Sequence, residues 1–225
     1  MKQQAILQGY SKSLGNLGSV YMDQGKWDEA ISHFKESMEI KKKLGDVHGY
    51  SKSLMNLGLV YMYQGKWDEA TSNFKESMEI KKKLGDMQGY SASLTNLGII
   101  YANQEKWDDA ISHFKESMEI FKKLGDMQGY SASLTNLGVV YKNQEKWAEA
   151  INIFKEAENN FKNLGDIHSL AIAYENLGII YRKIGNINKA IACYENAKNL
   201  YFKLGLADRA NKISNIISEI KTKNI

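Results

Sequence analysis

The stretch "SLTNLGIIY" (residues 93–101) sets the pattern of the whole chain. Leu94, Leu97 and Tyr101 stand at i, i+3 and i+7, which is the apolar stripe of an amphipathic helix. Nearly the same string recurs 40 residues apart, at 13–21, 53–61, 133–141 and 173–181. Self-similarity at a fixed period predicts an array of repeats.

Each repeat also carries a second helical stripe. In the third repeat it runs from Ala110 through Phe114 to Leu124, and a short polar turn such as "NQEKW" separates it from the first stripe. The "LGD" that follows predicts a helix end, because Gly125 can adopt the left-handed conformation and Asp126 can cap the next helix. Each repeat is therefore predicted to be a helix–turn–helix hairpin.

The predicted fold is all-α, with a single array over residues 1–225. Five hairpins are expected, at about 10–45, 50–85, 90–125, 130–165 and 170–205. The seam of Leu206, Ala210, Ile213, Ile217 and Ile220 predicts a C-terminal capping helix over 206–222. Residues 1–9 are expected to extend the first helix or to fray.

Small and wide side chains within the hairpin are both explained by packing. Gly98 and Ala110 are expected where the two helices of the third hairpin approach most closely. The four tryptophans open the second helices and are expected to cover the turn: Trp27, Trp67, Trp107 and Trp147.

Composition excludes several classes of protein. The net charge of +4 is small for 225 residues and is spread along the chain, which argues against a nucleic-acid-binding protein. No apolar run approaches the roughly 18 residues of a membrane span, and "MKQQAILQGY" lacks the apolar core of a signal peptide. With Cys193 as its one cysteine the chain forms no internal disulfide, so we expect a cytoplasmic protein.

No motif for catalysis, metal binding or cofactor binding is found in the sequence. His33 and His113 occupy equivalent positions in their repeats, where Asn73, Ile153 and Cys193 also occur. That variation predicts a surface position rather than a metal ligand or a general base. The protein is expected to be non-catalytic, with no cofactor and no metal.

The pattern L-x-x-L-G-x-x-Y followed by A-x-x-x-F resembles the tetratricopeptide repeat, with Leu in place of the first Trp of that motif. The usual repeat has 34 residues and a proline near its end, whereas this chain has no proline and a period of 40. The equivalent place is held by Lys42, Lys82, Lys122, Lys162 and Phe202. The longer form is similar to the 40-residue repeats of kinesin light chains and of Pins-type spindle-orientation adaptors.

The resemblance implies a right-handed superhelical solenoid whose first helices line a concave groove. It also implies that the recurring asparagine lies on the inner surface and contacts bound peptides: Asn16, Asn56, Asn96, Asn136 and Asn176. A carboxamide can both donate to and accept from an extended backbone, and five rungs could hold about 12–15 residues. The alternative is that each asparagine bonds to its own or a neighbouring helix and locks the stack.

Counting from the asparagine gives the other expected groove residues. They form an apolar floor, a polar and aromatic set, and a basic C-terminal end: Leu59, Ile99, Val139 and Ile179; Tyr63, Asn103 and Asn143; Lys142, Arg182 and Lys183. An acidic or amphipathic segment of a protein would suit this surface. The residues with which related repeats clamp chaperone C-termini are absent, so chaperone tails are not expected as ligands.

We therefore expect a non-catalytic protein–protein interaction scaffold that binds an extended or helical peptide segment in its groove. The alternative is an architectural or self-associating array without a specific groove ligand, which could be engineered or could be the sensor part of a larger signalling protein. A monomer or a weak self-association is expected, with no nucleic acid and no membrane among the partners.

Overall fold

The computed structural model describes residues 2–223, and the described part of the chain contains helices but no strand, so the prediction of an all-α repeat fold is confirmed. The helices found there are α1 (Lys2–Asp23), α2 (Trp27–Lys43), α3 (Val47–Tyr63), α4 (Trp67–Lys83), α5 (Met87–Asn103), α6 (Trp107–Leu124), α7 (Met127–Asn143), α8 (Trp147–Leu164), α9 (Ile167–Lys183), α10 (Ile187–Lys203) and α11 (Ala207–Lys223). None of these helices combines the length and the apolar character that crossing a bilayer requires.

The loops between hairpins end and start helices as the "LGD" motif predicts. Gly125 has φ +71°, in the left-handed region that glycine tolerates. The Asp126 carboxylate then accepts a hydrogen bond from the backbone N–H of Gly129 at 2.8 Å, which satisfies one of the free donors of α7. Asp46, Asp86 and Asp166 cap their helices in the same way.

The turns inside hairpins are less uniform. Gly25 and Gly65 hold a positive φ in the first two hairpins, but Glu105 and Glu145 take the same conformation in the next two, at φ 58°. A non-glycine residue in this region is strained because its Cβ crowds the backbone. The polar turn therefore keeps its geometry although the sequence no longer favours it.

Two compact units divide the chain within α6, at Met1–Glu116 and Ser117–Ile225. In the first unit, each helix from α1 to α5 packs on the next. Its core repeats with the sequence. Ala30 and Phe34 of α2 pack against Leu57 and Val60 of α3, and the residues 40 positions later do the same between α4 and α5.

In the second unit, each helix from α7 to α11 packs on the next. The last helix contributes Ala210, Ile213, Ile217 and Ile220 to the core, and each of these side chains is buried. Leu206 precedes α11 and is 38% exposed, so it lies outside the seam to which the sequence assigned it.

The repeated glycine of the first-type helices (the first helix of each hairpin) lies against an aromatic ring. A Cβ added at Gly98 would be 2.7 Å from Cε1 of Phe114, a side chain only 1% exposed. The close approach expected at Gly98 is thus present, and the ring of Phe114 is the surface that it meets.

A second repeated contact joins three helices. The Tyr50 hydroxyl of α3 donates to Glu76 of α4 at 2.8 Å, and the Lys42 amine of α2 lies 5.9 Å from the centroid of the Tyr50 ring. Tyr90, Glu116 and Lys82 repeat this arrangement. Burial, followed by the bond to the glutamate, raises the pKa of Tyr50 and of Tyr90 to about 12. Lys42 and Lys82 stand where the resembled repeat has proline, and here they contact the next hairpin.

Candidate functional site

The five repeated asparagines differ in exposure. Asn16 is exposed, Asn56, Asn96 and Asn136 are half-buried, and Asn176 is buried at 8%. All five occupy the same position in the first-type helices, directly before the repeated leucine. The same position in sequence therefore provides a reachable amide in four hairpins and a buried one in the fifth.

Two cavities lie along the asparagines of the first unit. The first cavity has a volume of about 230 Å³ between α1, α2 and α3, and Asn16 and Asn56 lie in its wall. The second cavity has about 620 Å³ between α3, α4 and α5, and Asn56 and Asn96 lie in its wall. Asn56 and Lys52 line both cavities, so the two are neighbours on one face.

The walls combine polar and apolar side chains. Met55 and Leu59 add apolar surface to the second cavity, while Ser11 and Ser19 line the first. A few placed polar groups on an otherwise apolar surface are typical of ligand-binding clefts.

The repeated asparagines also differ in their hydrogen bonds. Asn96 donates through Nδ2 to the sulfur of Met55 at 3.4 Å, a weak acceptor on the neighbouring first-type helix. Within residues 2–223 the amides of Asn16, Asn56 and Asn136 have no hydrogen-bond partner on the protein. These amides keep their full capacity to bond to an added backbone.

Asn176 is different because its amide is used inside the protein. Its Oδ1 accepts from the Lys142 amine at 2.7 Å, and its Nδ2 donates to the backbone carbonyl of Ile172 at 3.0 Å. Burial lowers the pKa of Lys142, although Glu175 nearby acts in the opposite direction. Lys142 and Asn176 together link α7 to α9, as the helix-locking interpretation of the asparagine describes.

The remaining residues predicted for the groove are placed unevenly. Leu59 lines the second cavity, and Ile179, Arg182 and Lys183 meet in a cavity of about 460 Å³ in the second unit. Five other predicted residues are half-buried or exposed but do not line the described cavities: Ile99, Val139, Tyr63, Asn103 and Asn143.

Two of these have partners of their own. The Tyr63 ring stacks on Trp27 with 5.7 Å between ring centroids, and Asn103 donates to the backbone carbonyl of Ile99 at 2.9 Å. Both contacts lie within the first unit.

Sequence reasoning missed two lysines that line the cavities. The Lys41 amine donates to the Ser53 hydroxyl at 3.0 Å, and the Lys81 amine lies 3.7 Å from a carboxylate oxygen of Asp86. Burial is the main cause that lowers the pKa of Lys41, while Asp46 raises it and Lys52 lowers it. The equivalent positions hold Phe121, Phe161 and Tyr201, and this contrast between repeats is the signal that could have identified the lysines.

His33, His113 and Cys193 are packing residues. The prediction of a surface position for His33 and His113 is only partly right, because both rings are half-buried against tyrosines, with ring centroids 5.2 Å from Tyr21 and 5.0 Å from Tyr101. Burial raises the pKa of the Cys193 thiol to about 11, so the thiol is neutral at pH 7. In the part of the chain that the structure describes, no group of three or more His, Cys, Asp or Glu side chains could hold a metal ion.

Comparison with known proteins assigns the family. The sequence profile of the tetratricopeptide repeat family matches residues 10–83, 89–163 and 129–203, which together cover most of the chain. The chain belongs to the tetratricopeptide repeat family. Tetratricopeptide repeat proteins are generally non-catalytic protein-interaction scaffolds. No curated protein matches the sequence.

Solved structures with the same fold share little sequence with this tetratricopeptide repeat protein. Aspartyl phosphate phosphatase F from Bacillus subtilis superposes with a TM-score of 0.86 at 20% identity, over 94% of this chain and 56% of that one. A protein described as a kinesin light chain with nearly identical TPR-like repeats, from Podosopora anserina, gives 0.70 at 21%, over 86% and 95%. A Rap protein complexed with Competence and Sporulation Factor gives 0.72 at 15%, over 93% and 74%. The similarity to kinesin light chain repeats is confirmed at the level of the fold.

Proposed function

We propose that this protein is a non-catalytic scaffold that binds an extended peptide segment of a partner across the two cavities of its first unit. The observation that carries the proposal is the line of Asn16, Asn56 and Asn96 along both cavities, with Asn56 in both walls. Each carboxamide can donate to a peptide carbonyl and accept from a peptide N–H, so the surface can hold main chain of any sequence.

The apolar side chains beside the amides would provide the remaining affinity. Met55 and Leu59 present partly exposed apolar surface next to Asn56. Removing such surface from water is the main favourable contribution in most protein associations. The solved Rap protein complexed with Competence and Sporulation Factor, which shares the fold, also supports a binding role for this architecture.

The proposal is tested by selecting peptide ligands directly on the purified protein. A displayed library of random peptides of about 12 residues, long enough in extended form to span both cavities, is panned on the immobilised chain. The strongest binder is synthesised, and its affinity is measured by fluorescence anisotropy. The double variant Asn56→Ala, Asn96→Ala is expected to weaken binding by about tenfold or more, because each lost hydrogen bond contributes about 0.5–1.5 kcal/mol.

Asn73→Ala is the matched control. Asn73 lies on α4 and donates to the backbone carbonyl of Glu69 at 2.8 Å, away from both cavities. The control should bind like the wild type, and the double variant should melt within a few degrees of it. Recovery of no binder, or equal affinity in the double variant, would contradict the proposal. A double variant that melts much earlier and binds normally would assign the asparagines to the helix stack.

An exposed apolar face on α1 supports a second candidate function, self-association. Leu17 and Val20 are 40% and 48% exposed, whereas the equivalent Leu57 and Val60 are at most 1% exposed because they pack against α2. Within the described residues no second-type helix (the second helix of a hairpin) covers the corresponding face of α1. This face is therefore ready to pack on another helix.

The spacing on α1 suits a second copy of the chain. Ile6 and Val20 lie seven residues on either side of Ser13, and Tyr10 and Leu17 lie between them. In an antiparallel pair of α1 helices, Ile6 would face Val20 of the other copy, and the small Ser13 would lie at the crossing. Such a contact is self-complementary, as a two-fold dimer requires.

Light scattering measures this directly. The mass of the wild type should rise towards a dimer between about 10 μM and about 1 mM, the range of a weak complex. Val20→Glu should remain a monomer throughout. A monomeric mass of the wild type over the whole range would exclude the second candidate.

A further inference from the structure

One position of the second-type helices holds a lysine in some hairpins and an aromatic residue in the others. It holds Lys41 and Lys81 in the first two hairpins and Phe121, Phe161 and Tyr201 in the last three. The three aromatic side chains are at most 5% exposed, and Lys81 is almost as deeply buried, at 8%. Burying an ammonium group is costly, whereas burying an aromatic ring stabilises the fold.

Lys81 is not needed for packing, because the space beside the glycine of the next helix holds an aromatic ring in the following hairpin. A Cβ added at Gly89 would lie 2.3 Å from the Lys81 amine, and a Cβ added at Gly129 would lie 2.6 Å from Cε1 of Phe121. The glycine therefore makes room for the lysine end in the second hairpin and for the phenylalanine ring in the third. The second hairpin therefore buries a lysine at a position where the third hairpin buries an aromatic ring.

Both lysines open onto the cavities of the first unit, together with further positive charge. The first cavity is lined by Lys12, Lys41 and Lys52 and by one carboxylate, Asp46. In the second cavity Lys52 and Lys81 face Asp86, with His48 at the wall. Each cavity thus carries an excess of positive charge.

The hairpins of the second unit lack these lysines. The positions equivalent to Lys12 and Lys52 are held there by Ala132 and Ile172. Among the five hairpins, lysine therefore occupies both of these positions only in the first two.

We propose that the two cavities bind the carboxylate side chains of an acidic peptide, one Asp or Glu in each cavity. The inference rests on the proposed function, because the peptide is the one that lies along Asn16, Asn56 and Asn96. In the second cavity Asp86 neutralises one of the two lysine amines, so the remaining single positive charge is balanced by one side-chain carboxylate.

The spacing of the acidic residues follows from the repeat. Neighbouring first-type helices lie about 10 Å apart, and an extended polyproline II segment presents the same face every three residues, or about 9 Å. We therefore expect two acidic residues three positions apart in the ligand.

The test pans the random peptide library on the wild type and on the double variant Lys41→Phe, Lys81→Phe, which carries the aromatic side chain of the third and fourth hairpins. Wild-type binders should be enriched in Asp and Glu at two positions three apart, and binders of the variant should lack that enrichment. The variant should melt at or above the wild-type temperature. The pair Lys41→Met, Lys81→Met removes both amines with a flexible side chain, should the rings pack poorly, and should lose acidic binders in the same way.

Titration of the strongest wild-type peptide gives the second measurement. Replacing its acidic residues by Gln or Asn, or using the lysine variants, should weaken binding by at least about tenfold, because a charge-assisted bond is lost. Lys75→Met removes an exposed charge of α4 outside the cavities and should change nothing. Equal affinity of the neutral peptide, or tighter binding when phosphoserine replaces the acidic residue, would overturn the inference.

The outcomes separate this inference from the proposed function. Peptides that depend on Asn56 and Asn96 but show no excess of acidic residues would leave the scaffold proposal standing and remove the carboxylate sites. If no peptide that depends on Asn56 and Asn96 is recovered, both the scaffold proposal and the carboxylate sites are contradicted.

Discussion

Replacing Gly98 by alanine should destabilise the protein, although alanine is the better helix former. The new Cβ would lie 2.7, 2.9 and 3.0 Å from Cε1, Cδ1 and Cζ of Phe114. Favourable carbon contacts lie at about 3.5–4.0 Å, so the methyl group overlaps the ring by several tenths of an ångström. Phe114 is 1% exposed and cannot move aside without displacing its neighbours.

The magnitude follows from two opposing contributions to the free energy of unfolding. Overpacking a core typically costs about 1–3 kcal/mol, whereas Gly to Ala in a helix interior contributes about 1 kcal/mol in favour of folding. The difference gives a net loss of stability of about 0–2 kcal/mol for Gly98→Ala.

Gly9→Ala is the matched control on α1. A Cβ at Gly9 would meet nothing within 4 Å, so only the gain in helix propensity remains. This variant should be more stable than the wild type by about 0.5–1 kcal/mol. Urea unfolding followed by circular dichroism measures both variants, with an unchanged slope confirming that only stability has changed. A Gly98→Ala protein as stable as the Gly9→Ala protein would refute the packing argument.

Four further predictions concern the turns, a cap, the tyrosines and the cysteine. Glu105→Gly should raise stability by about 1 kcal/mol, because it relieves a positive φ, and an unchanged melting temperature would argue against strain. Asp166→Ala should cost about 1 kcal/mol in urea unfolding, because the carboxylate accepts from the Ser169 N–H at 3.0 Å. The pKa values of Tyr50 and Tyr90 are raised from 10.0 to about 12, so these tyrosines stabilise the fold below pH 10. This stability should be lost as the pH rises from 10 to 12. A titration in which Tyr50 and Tyr90 of the folded protein ionise with midpoints near pH 10 would contradict the prediction. Native Cys193, with a thiol pKa of about 11, should react with iodoacetamide far more slowly than the urea-unfolded chain, and equal rates would disprove its burial.

The hairpins could be predicted from the sequence because their determinants are local. Trp67 begins α4, Gly125 takes a positive φ and Asp126 caps α7, as the turn chemistry required. Forty-residue periodicity then placed the same core pair in successive hairpins, where Leu97 and Phe74 pack together.

The site was less predictable because it depends on tertiary contacts. Asn176 resembles Asn96 in sequence, but it is buried, and the amine of Lys142, 34 residues earlier, bonds to its amide oxygen. Leu17 resembles Leu57 in the same way. Leu57 is buried by α2, the helix that precedes its own helix α3, whereas no helix of the described residues precedes α1, and Leu17 is exposed. Lys81 belongs to a run of charged residues that is typical of a solvated helix face, and only the fold shows that it turns inward.

The central claim is that carboxamides of the first unit contact a bound peptide. The most direct measurement is the NMR spectrum of asparagine side-chain amides in the labelled protein while the selected peptide is added. The signals of Asn56 and Asn96 should shift to saturation at the affinity found by anisotropy, and that of Asn73 should stay in place. Saturable binding that leaves Asn56 and Asn96 unmoved would contradict the account.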